Sequence, residues 1–213
     1  MVANFQLYRM CIVASGMLLL TGVSESRATS DDAKTCAYQS GDVAIAACSR
    51  AIKSGKYRGY QLAIKYLNRG AEWKIKKDYD RALADYNEAI RLSATYADAF
   101  YNRCIVYRIK EDYDHALADC NQAIKLGPTP NALAATDSTR LGDDRTTSDY
   151  YSQRGAVYLS RKDYDLAIAD FDSAIRLYPK DANTAYNRGL AYKAKGDTAR
   201  ANADFETAKQ LDK

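Results

Sequence analysis

Two apolar patterns run along the 213 residues, one a single block and the other periodic. The block lies near the start. Met10, Cys11, Ile12, Val13 and Ala14 are followed by Met17, Leu18, Leu19 and Leu20, with Arg9 as the positive flank. Ser15, Gly16, Thr21 and Gly22 interrupt it, and the 14 residues from Met10 to Val23 fall short of the roughly 18 a spanning helix needs. Ser26-Arg27-Ala28 places small residues at both positions that decide signal-peptide cleavage. Residues 1–28 are therefore expected to be a signal peptide, with a mature start at Thr29 and 213 − 28 = 185 residues remaining. An uncleaved anchor is the alternative. No Cys follows the block in a lipid-attachment position, and no later stretch is long enough to cross a membrane.

The periodic pattern has helical spacing. Leu67, Ala71 and Ile75 form an i, i+4, i+8 stripe, and so do Tyr101, Ile105 and Ile109. Whole segments then recur. Tyr66-Leu67-Asn68-Arg69-Gly70, Tyr101-Asn102-Arg103-Cys104, Ser152-Gln153-Arg154-Gly155 and Tyr186-Asn187-Arg188-Gly189 are each followed by an aromatic, a turn and an Ala-rich helix. Those helices run from Asp78 to Tyr86, Asp112 to Cys120, Asp163 to Phe171 and Asp197 to Phe205. Positions 70, 104, 155 and 189 are separated by 34, 51 and 34 residues, and 51 is 34 + 17, so one connection carries an insertion. Self-similarity at a fixed period marks a stack of repeated units.

A 34-residue unit with a small residue at place 8, aromatics at 11 and 24, Ala at 20 and 27 and Pro at 32 resembles the tetratricopeptide repeat. Units start at Ala63, Ala97, Ser148 and Ala182. Place 11 is Trp73, Tyr107, Tyr158 and Tyr192; place 20 is Ala82, Ala116, Ala167 and Ala201. Place 24 is Tyr86, Cys120, Phe171 and Phe205; place 27 is Ala89, Ala123, Ala174 and Ala208. Pro128 and Pro179 keep the place-32 proline, whereas Ala94 and Lys213 depart. The resemblance covers residues 63–213 apart from the insertion. It implies an all-α, right-handed solenoid of antiparallel helix pairs, in which no pair buries its apolar face without its neighbours. Asp78, Asp112, Asp163 and Asp197 stand where they can cap the second helices. Recurrent Arg69, Arg103, Arg154 and Arg188 at place 7, with Asp85, Asp119, Asp170 and Asp204 at place 23, are read as a structural ion-pair ladder.

The same resemblance implies a ligand groove on the wall made by first helices, at places 2, 5, 9, 12 and 13. Carried over residue by residue, the groove comprises Leu67, Ala71, Lys74 and Ile75, then Tyr101, Ile105, Arg108 and Ile109. Leu159 follows from repeat three, and Tyr186, Leu190 and Lys193 from repeat four. The expected floor is apolar and richest in repeats one and two, with Lys74, Arg108 and Lys193 as a basic edge. Some relatives clamp acidic C-terminal tails with Lys at place 5 and Asn at place 9. Leu67 and Ala71 stand there in repeat one, so that clamp is not expected. The implied occupant is a protein or peptide. A structural or assembly scaffold docking through the convex face or a solenoid end is the alternative. The stack ends at place 32 of repeat four, and weak self-association there is a further expectation.

Residues 29–60 match no whole unit and are expected to form a helical hairpin capping the stack. Ala44, Cys48 and Ala51 stand at places 20, 24 and 27 of its second helix. Residues 63–128 hold repeats one and two, 129–147 an inserted loop and 148–213 repeats three and four. Export would put the chain in the periplasm or outside the cell, an oxidising setting. Cys36 and Cys48 flank the hairpin turn and are placed to bridge. Cys104 and Cys120 replace the small residue and the aromatic of repeat two together. In a pair turning near place 16, residues whose places sum to about 32 lie opposite, so these two can bridge; buried free thiols are the alternative.

Composition changes little in this picture. Three prolines and eleven glycines favour helix over disorder, and the 18 tyrosines fall mainly at core places. The net charge of +4 is spread without a basic block, so nucleic acid is not expected. The single histidine, His115, lacks a partner at ligand spacing, and there is no phosphate loop or nucleophile motif, so no cofactor, metal or enzymatic activity is expected. Catalysis by carboxylates alone is the surviving enzymatic reading.

Overall fold

The computed structural model describes residues 30–128 and 144–212. The expected signal peptide and most of the inserted loop lie outside them. Among the described residues the chain is all helix. A hairpin of α1 (Ser30–Tyr38) and α2 (Gly41–Lys53) precedes four pairs. These are α3 (Gly59–Ile75) with α4 (Tyr79–Leu92), α5 (Ala97–Ile109) with α6 (Tyr113–Leu126), α7 (Asp144–Arg161) with α8 (Tyr164–Leu177), and α9 (Ala182–Ala194) with α10 (Thr198–Leu211). Helix α7 begins inside the segment expected as loop, so residues 144–147 are its first turn. No described helix is long and apolar enough to cross a membrane.

Each helix packs on its chain neighbours, and first helices also touch the next first helix: α3 meets α5, α5 meets α7, and α7 meets α9. No such contact joins α4 to α6 or α8 to α10. The first helices thus form the inner wall of the solenoid and the second helices splay outward.

Side-chain size sets the spacing within each pair. A Cβ added at Gly70, Gly155 or Gly189 would come within 2.7, 2.8 and 2.7 Å of the ring of Tyr86, Phe171 and Phe205 respectively. The ring at place 24 lies directly on the bare backbone at place 8, which only glycine permits. Repeat two solves the same contact differently. Cys104 and Cys120, both fully buried, bring their sulfurs to 2.08 Å with Cα atoms 5.6 Å apart. In the hairpin, Cys36 and Cys48 do the same at 2.11 Å.

The turns also repeat. Lys77, Glu111, Lys162 and Gly196, all at place 15, adopt positive φ. The next residue donates its N–H to the carbonyl five positions back, from Asp78 to Trp73, Asp112 to Tyr107, Asp163 to Tyr158 and Asp197 to Tyr192. This is the left-handed closure that satisfies the last carbonyls of a helix. Asp78, Asp112 and Asp197 then accept the N–H of Arg81, His115 and Arg200, capping the second helices. Asp163 departs from the expected cap: its carboxylate instead accepts from Arg161 Nε at 2.5 Å.

The Arg–Asp ladder forms in full. Arg69, Arg103, Arg154 and Arg188 each donate Nε and Nη2 to both oxygens of Asp85, Asp119, Asp170 and Asp204, at 2.6–2.8 Å. Each arginine also extends Nη1 to the preceding second helix. Its acceptors are Ser49, Asn87, Asn121 and Asp172, at 3.0, 2.6, 2.7 and 2.6 Å. One planar guanidinium therefore ties its own pair together and joins it to the pair before. The carboxylates are 5% exposed, so the fork replaces their water with matched donors.

Candidate binding groove

The inner wall is built from places 2, 3, 5, 6, 9 and 12 of the first helices, and each junction between repeats treats them differently. At the junction of repeats one and two the wall is closed. Leu67 packs into the buried clusters around Ala63, Ala89 and Tyr86. Lys74, half-buried, donates Nζ to Asn102 Oδ1 at 2.8 Å, and burial pulls its amine below the usual lysine range. The expected basic edge is therefore partly spent inside the stack. Tyr96 and Tyr60 meet edge to face at 4.9 Å, packed with Leu67 in one buried cluster. The N-terminal hairpin covers the other side of α3: Asn68 Nδ2 donates to the Cys36 carbonyl at 3.2 Å, and Glu72 receives the Gly41 N–H at 2.7 Å. Ala71 is half-buried in that region, while Ile75 at its rim is 67% exposed.

Between repeats two and four the wall opens into a cavity of about 420 Å³. Helix α5 supplies Tyr101 and Arg108. Helix α7 supplies Arg145, Asp149, Ser152, Gln153 and Ala156. The α8–α9 connection adds Tyr178, Lys180 and Asp181, and α9 adds Asn183 and Asn187. Tyr101 stacks obliquely on buried Tyr150 at 5.2 Å, and Tyr150 donates its hydroxyl to Asp98 Oδ1 at 2.6 Å. Burial, then Asp149, Asp181 and Asp98, push the Tyr101 hydroxyl up to about 12, so it stays a neutral donor at physiological pH. Asp181 is engaged as the α9 cap, accepting from Asn183 N at 3.0 Å and from the Thr184 hydroxyl. Ser152 shares a 2.7 Å hydrogen bond with Thr184. Arg145 lies over the Tyr178 ring, 5.4 Å from its centre.

Two of the lining residues carry a donor atom that is not spoken for. Arg108 Nε and Gln153 Nε2 are both buried and have no hydrogen-bond partner among the described residues. Burial lowers the Arg108 guanidinium from its ordinary range, opposed only by Tyr113 and Tyr101. Buried donors without acceptors each cost about 1–3 kcal/mol, and such groups mark places where something else completes the site.

The cavity differs from the apolar floor expected in repeats one and two: it is polar and sits one to two repeats further along. Of the expected groove residues, Tyr101 and Arg108 line it. Ile105 is half-buried on α5 and Ile109 is 40% exposed at that helix's end. Leu159 packs against the cluster of Ala167, Phe171 and Ala191. Tyr186 is half exposed and leans on Phe205, Leu190 is half-buried, and Lys193 is exposed. Gln153, Arg145, Tyr178, Lys180, Asp181 and Asn187 were not foreseen. For Gln153 and Asn187 the sequence signal was place 6, which reads Asn68, Asn102, Gln153 and Asn187, an amide in every unit.

Family models for the tetratricopeptide repeat match residues 97–130, 148–181 and 182–213. With the fold of the described residues, this makes the chain a tetratricopeptide-repeat protein. Residues 63–96 carry the same helix pair and the same Arg–Asp fork outside the matched stretches. Among solved structures, MamA is 22% identical, with 80% of this chain and 88% of MamA covered and a TM-score of 0.61. BtubC from P. vanneervenii is 19% identical over 79% of this chain and 71% of its own, with a TM-score of 0.65. The first TPR of Spaghetti (RPAP3), bound to the HSP90 peptide SRMEEVD, is 19% identical over 67% of this chain and 99% of its own, with a TM-score of 0.53. No curated protein matches the chain.

Proposed function

We propose that the chain is a non-catalytic protein-interaction module that holds an extended segment of a partner along its inner wall, at the junctions of repeats two to four. One observation carries the reading: a polar cavity of about 420 Å³ opens there, on the face made by first helices, lined by aromatic, amide and charged side chains from three successive repeats. Its size is that of a few side chains and its lining alternates aromatic, amide and charged groups, as suits a peptide. A protein of the same fold that is recorded with a bound peptide supports the reading. The apolar block near Arg9 supports export of the chain to the periplasm or beyond, and the sulfur pairings suit such an oxidising compartment.

Panning random 12-residue peptides against the protein tests the groove. Peptides recovered on the parent should lose binding to Ala156→Trp, which fills the cavity wall, and keep binding to Ala118→Trp, which lies exposed on the outer helix α6. Loss with the outer variant and retention with the inner one would move the function to the convex face.

A further inference from the structure

Residues 43–71 contain six cations and no acid. Arg50 and Arg69 are matched from outside this run, by Asp32 and Asp85. Lys65 is not. It stands at place 3 of repeat one, which Ala99, Tyr150 and Thr184 fill in the other units with side chains that are fully buried. Lys65 is itself only 7% exposed, and its ammonium has no hydrogen bond or ion pair among the described residues. What it meets is the ring of Tyr57, whose centre is 5.2 Å from Nζ. Unlike Arg108 Nε and Gln153 Nε2, this nitrogen is not sealed from solvent. Burial alone pulls its amine below the usual lysine range, with no carboxylate close enough to oppose it. An ammonium held this deep without a partner costs free energy that an anion beside it would offset.

The Lys65 side chain runs back toward the start of its own helix, as Cβ bonds in a helix direct, and Tyr57 stands two residues before that start. There α3 is open. Its cap residue is Arg58, which accepts no N–H, and its first turn carries no acid. Helices α4, α6, α9 and α10 each begin under an aspartate that does accept one. The N–H of Leu62 is the first to reach back, to the Arg58 carbonyl. The N–H groups of Gly59, Tyr60 and Gln61 therefore precede the helical ladder, and Gly59 and Gln61 are exposed. Arg58 folds Nη1 onto the Gly55 and Tyr57 carbonyls at 2.7 and 3.0 Å, which steadies the connection from α2. We propose that this corner binds a phosphate group, held by the Lys65 ammonium and the uncapped N–H groups at the start of α3, with Lys56 and Arg58 flanking. Phosphate offers several oxygens to donors converging from a helix start and a side chain, and the helix end favours its charge. Free phosphate and the phosphomonoester of a lipid headgroup share this chemistry. The corner lies on the connection between the hairpin and repeat one and shares no residue with the 420 Å³ cavity, so it stands apart from the groove.

Backbone amide NMR of the protein decides the matter. Inorganic phosphate, added at neutral pH and fixed ionic strength, should move the Gly59, Tyr60 and Gln61 signals together and saturably. Acetate at equal concentration should leave them in place. Lys65→Met keeps the buried stem and removes the charge, so it should bind phosphate about tenfold more weakly or worse, the loss expected for one charge-assisted hydrogen bond. Lys209→Gln, exposed on α10 at the far end of the stack, should bind as the parent does. Urea unfolding followed by circular dichroism gives a second reading. Phosphate should raise the midpoint of the parent and not that of Lys65→Met, which a lysine that merely packs would not produce. Vesicles of phosphatidylcholine with or without phosphatidic acid then separate the sources. Sedimentation with the acidic vesicles, reversed by phosphate and lost in Lys65→Met, assigns the site to a headgroup; a phosphate response without vesicle binding assigns it to the free ion. Signals that stay still, that move linearly or equally with acetate, or that respond alike in the parent and Lys65→Met overturn the proposal.

Discussion

Repeat two replaces the glycine and ring used by its three neighbours with two cysteines, and the structure says what reversing that exchange should do. Consider Cys120→Phe alone. In the other repeats a Cβ at place 8 would lie 2.7–2.8 Å from the place-24 ring. Cys104 carries that Cβ, so the new ring has no room. Overpacking of this kind costs about 1–3 kcal/mol. The bridge across 16 residues is lost as well, removing about 3 kcal/mol in the chain-entropy model. The single variant should therefore lose about 4–6 kcal/mol, which is much of a small domain's total. Now add Cys104→Gly. The clash disappears and the ring buries against bare backbone, returning about 2–3 kcal/mol. Glycine within a helix takes back about 0.5–1 kcal/mol. The double variant should be the more stable of the two by about 3 kcal/mol, and its urea midpoint should not respond to reductant when Cys36 and Cys48 are both alanine. Urea titrations followed by circular dichroism, with and without reductant, measure every member of the set. Equal midpoints for Cys120→Phe and the double variant would refute the claim that glycine and ring form one steric unit.

The remaining expectations concern the ladder, the caps and export. Arg154→Met leaves the 5%-exposed Asp170 carboxylate without its fork, so thermal unfolding should show a loss of about 3 kcal/mol, and adding Asp170→Asn should recover part of it. Arg200, through its backbone N–H and its side chain, holds the Asp197 carboxyl below its ordinary range, and Arg81 and His115 do the same for Asp78 and Asp112 through their side chains and backbone N–H groups. A carboxyl depressed in the folded state stabilises above its unfolded pKa, and that stability fades as pH falls below about 4; Asp197→Ala should flatten this acid limb in denaturation curves between pH 2 and 5. N-terminal sequencing of the protein recovered from its producing cell should begin near Thr29, and an intact Met1 would sink the proposal of a cleaved leader.

The fold was legible because each repeated place answers a contact that allows few residue types. Gly70, Gly155 and Gly189 sit beneath rings, Ala82 and Ala89 sit where backbones approach, and Arg69 and Asp85 recur because one fork needs both. The inner wall was less legible for a physical reason. Its places 5, 9 and 12 are defined by what the next repeat presents, and a single repeat's sequence does not contain that. Lys74 reads as an open cation until Asn102 is seen against it. Leu67 reads as floor until the stack buries it. The capping role of Asp163 fails for a similar local cause, since Arg161 two residues earlier captures its carboxylate. Gln153 was missed because place 6 is not among the groove places the family resemblance implies, although an amide stands there in all four units.

The two sides of each junction carry different duties, and the hydrogen bonds separate them. Toward the outside, the arginine at place 7 repeats its three contacts from unit to unit and changes only its last acceptor, from Ser49 to Asn87, Asn121 and Asp172. Further pairs at the turns reinforce this side, with Asp80 to Lys110, Asp114 to Arg161 and Asp165 to Lys195 each joining one repeat to the next. Exposed pairs such as these are worth little singly, but the buried fork fixes how far one unit can rotate on another. With that rotation fixed from outside, the inner side need not hold the stack together. Its place-12 and place-6 residues then vary, from the bonded Lys74 and Asn102 to Arg108 and Gln153, whose Nε and Nε2 have no partner among the described residues. An unsatisfied donor pair can persist on the inner wall because the outer ladder carries the stability that the pair gives up. The outer contacts thus repeat from unit to unit while the inner ones change from junction to junction.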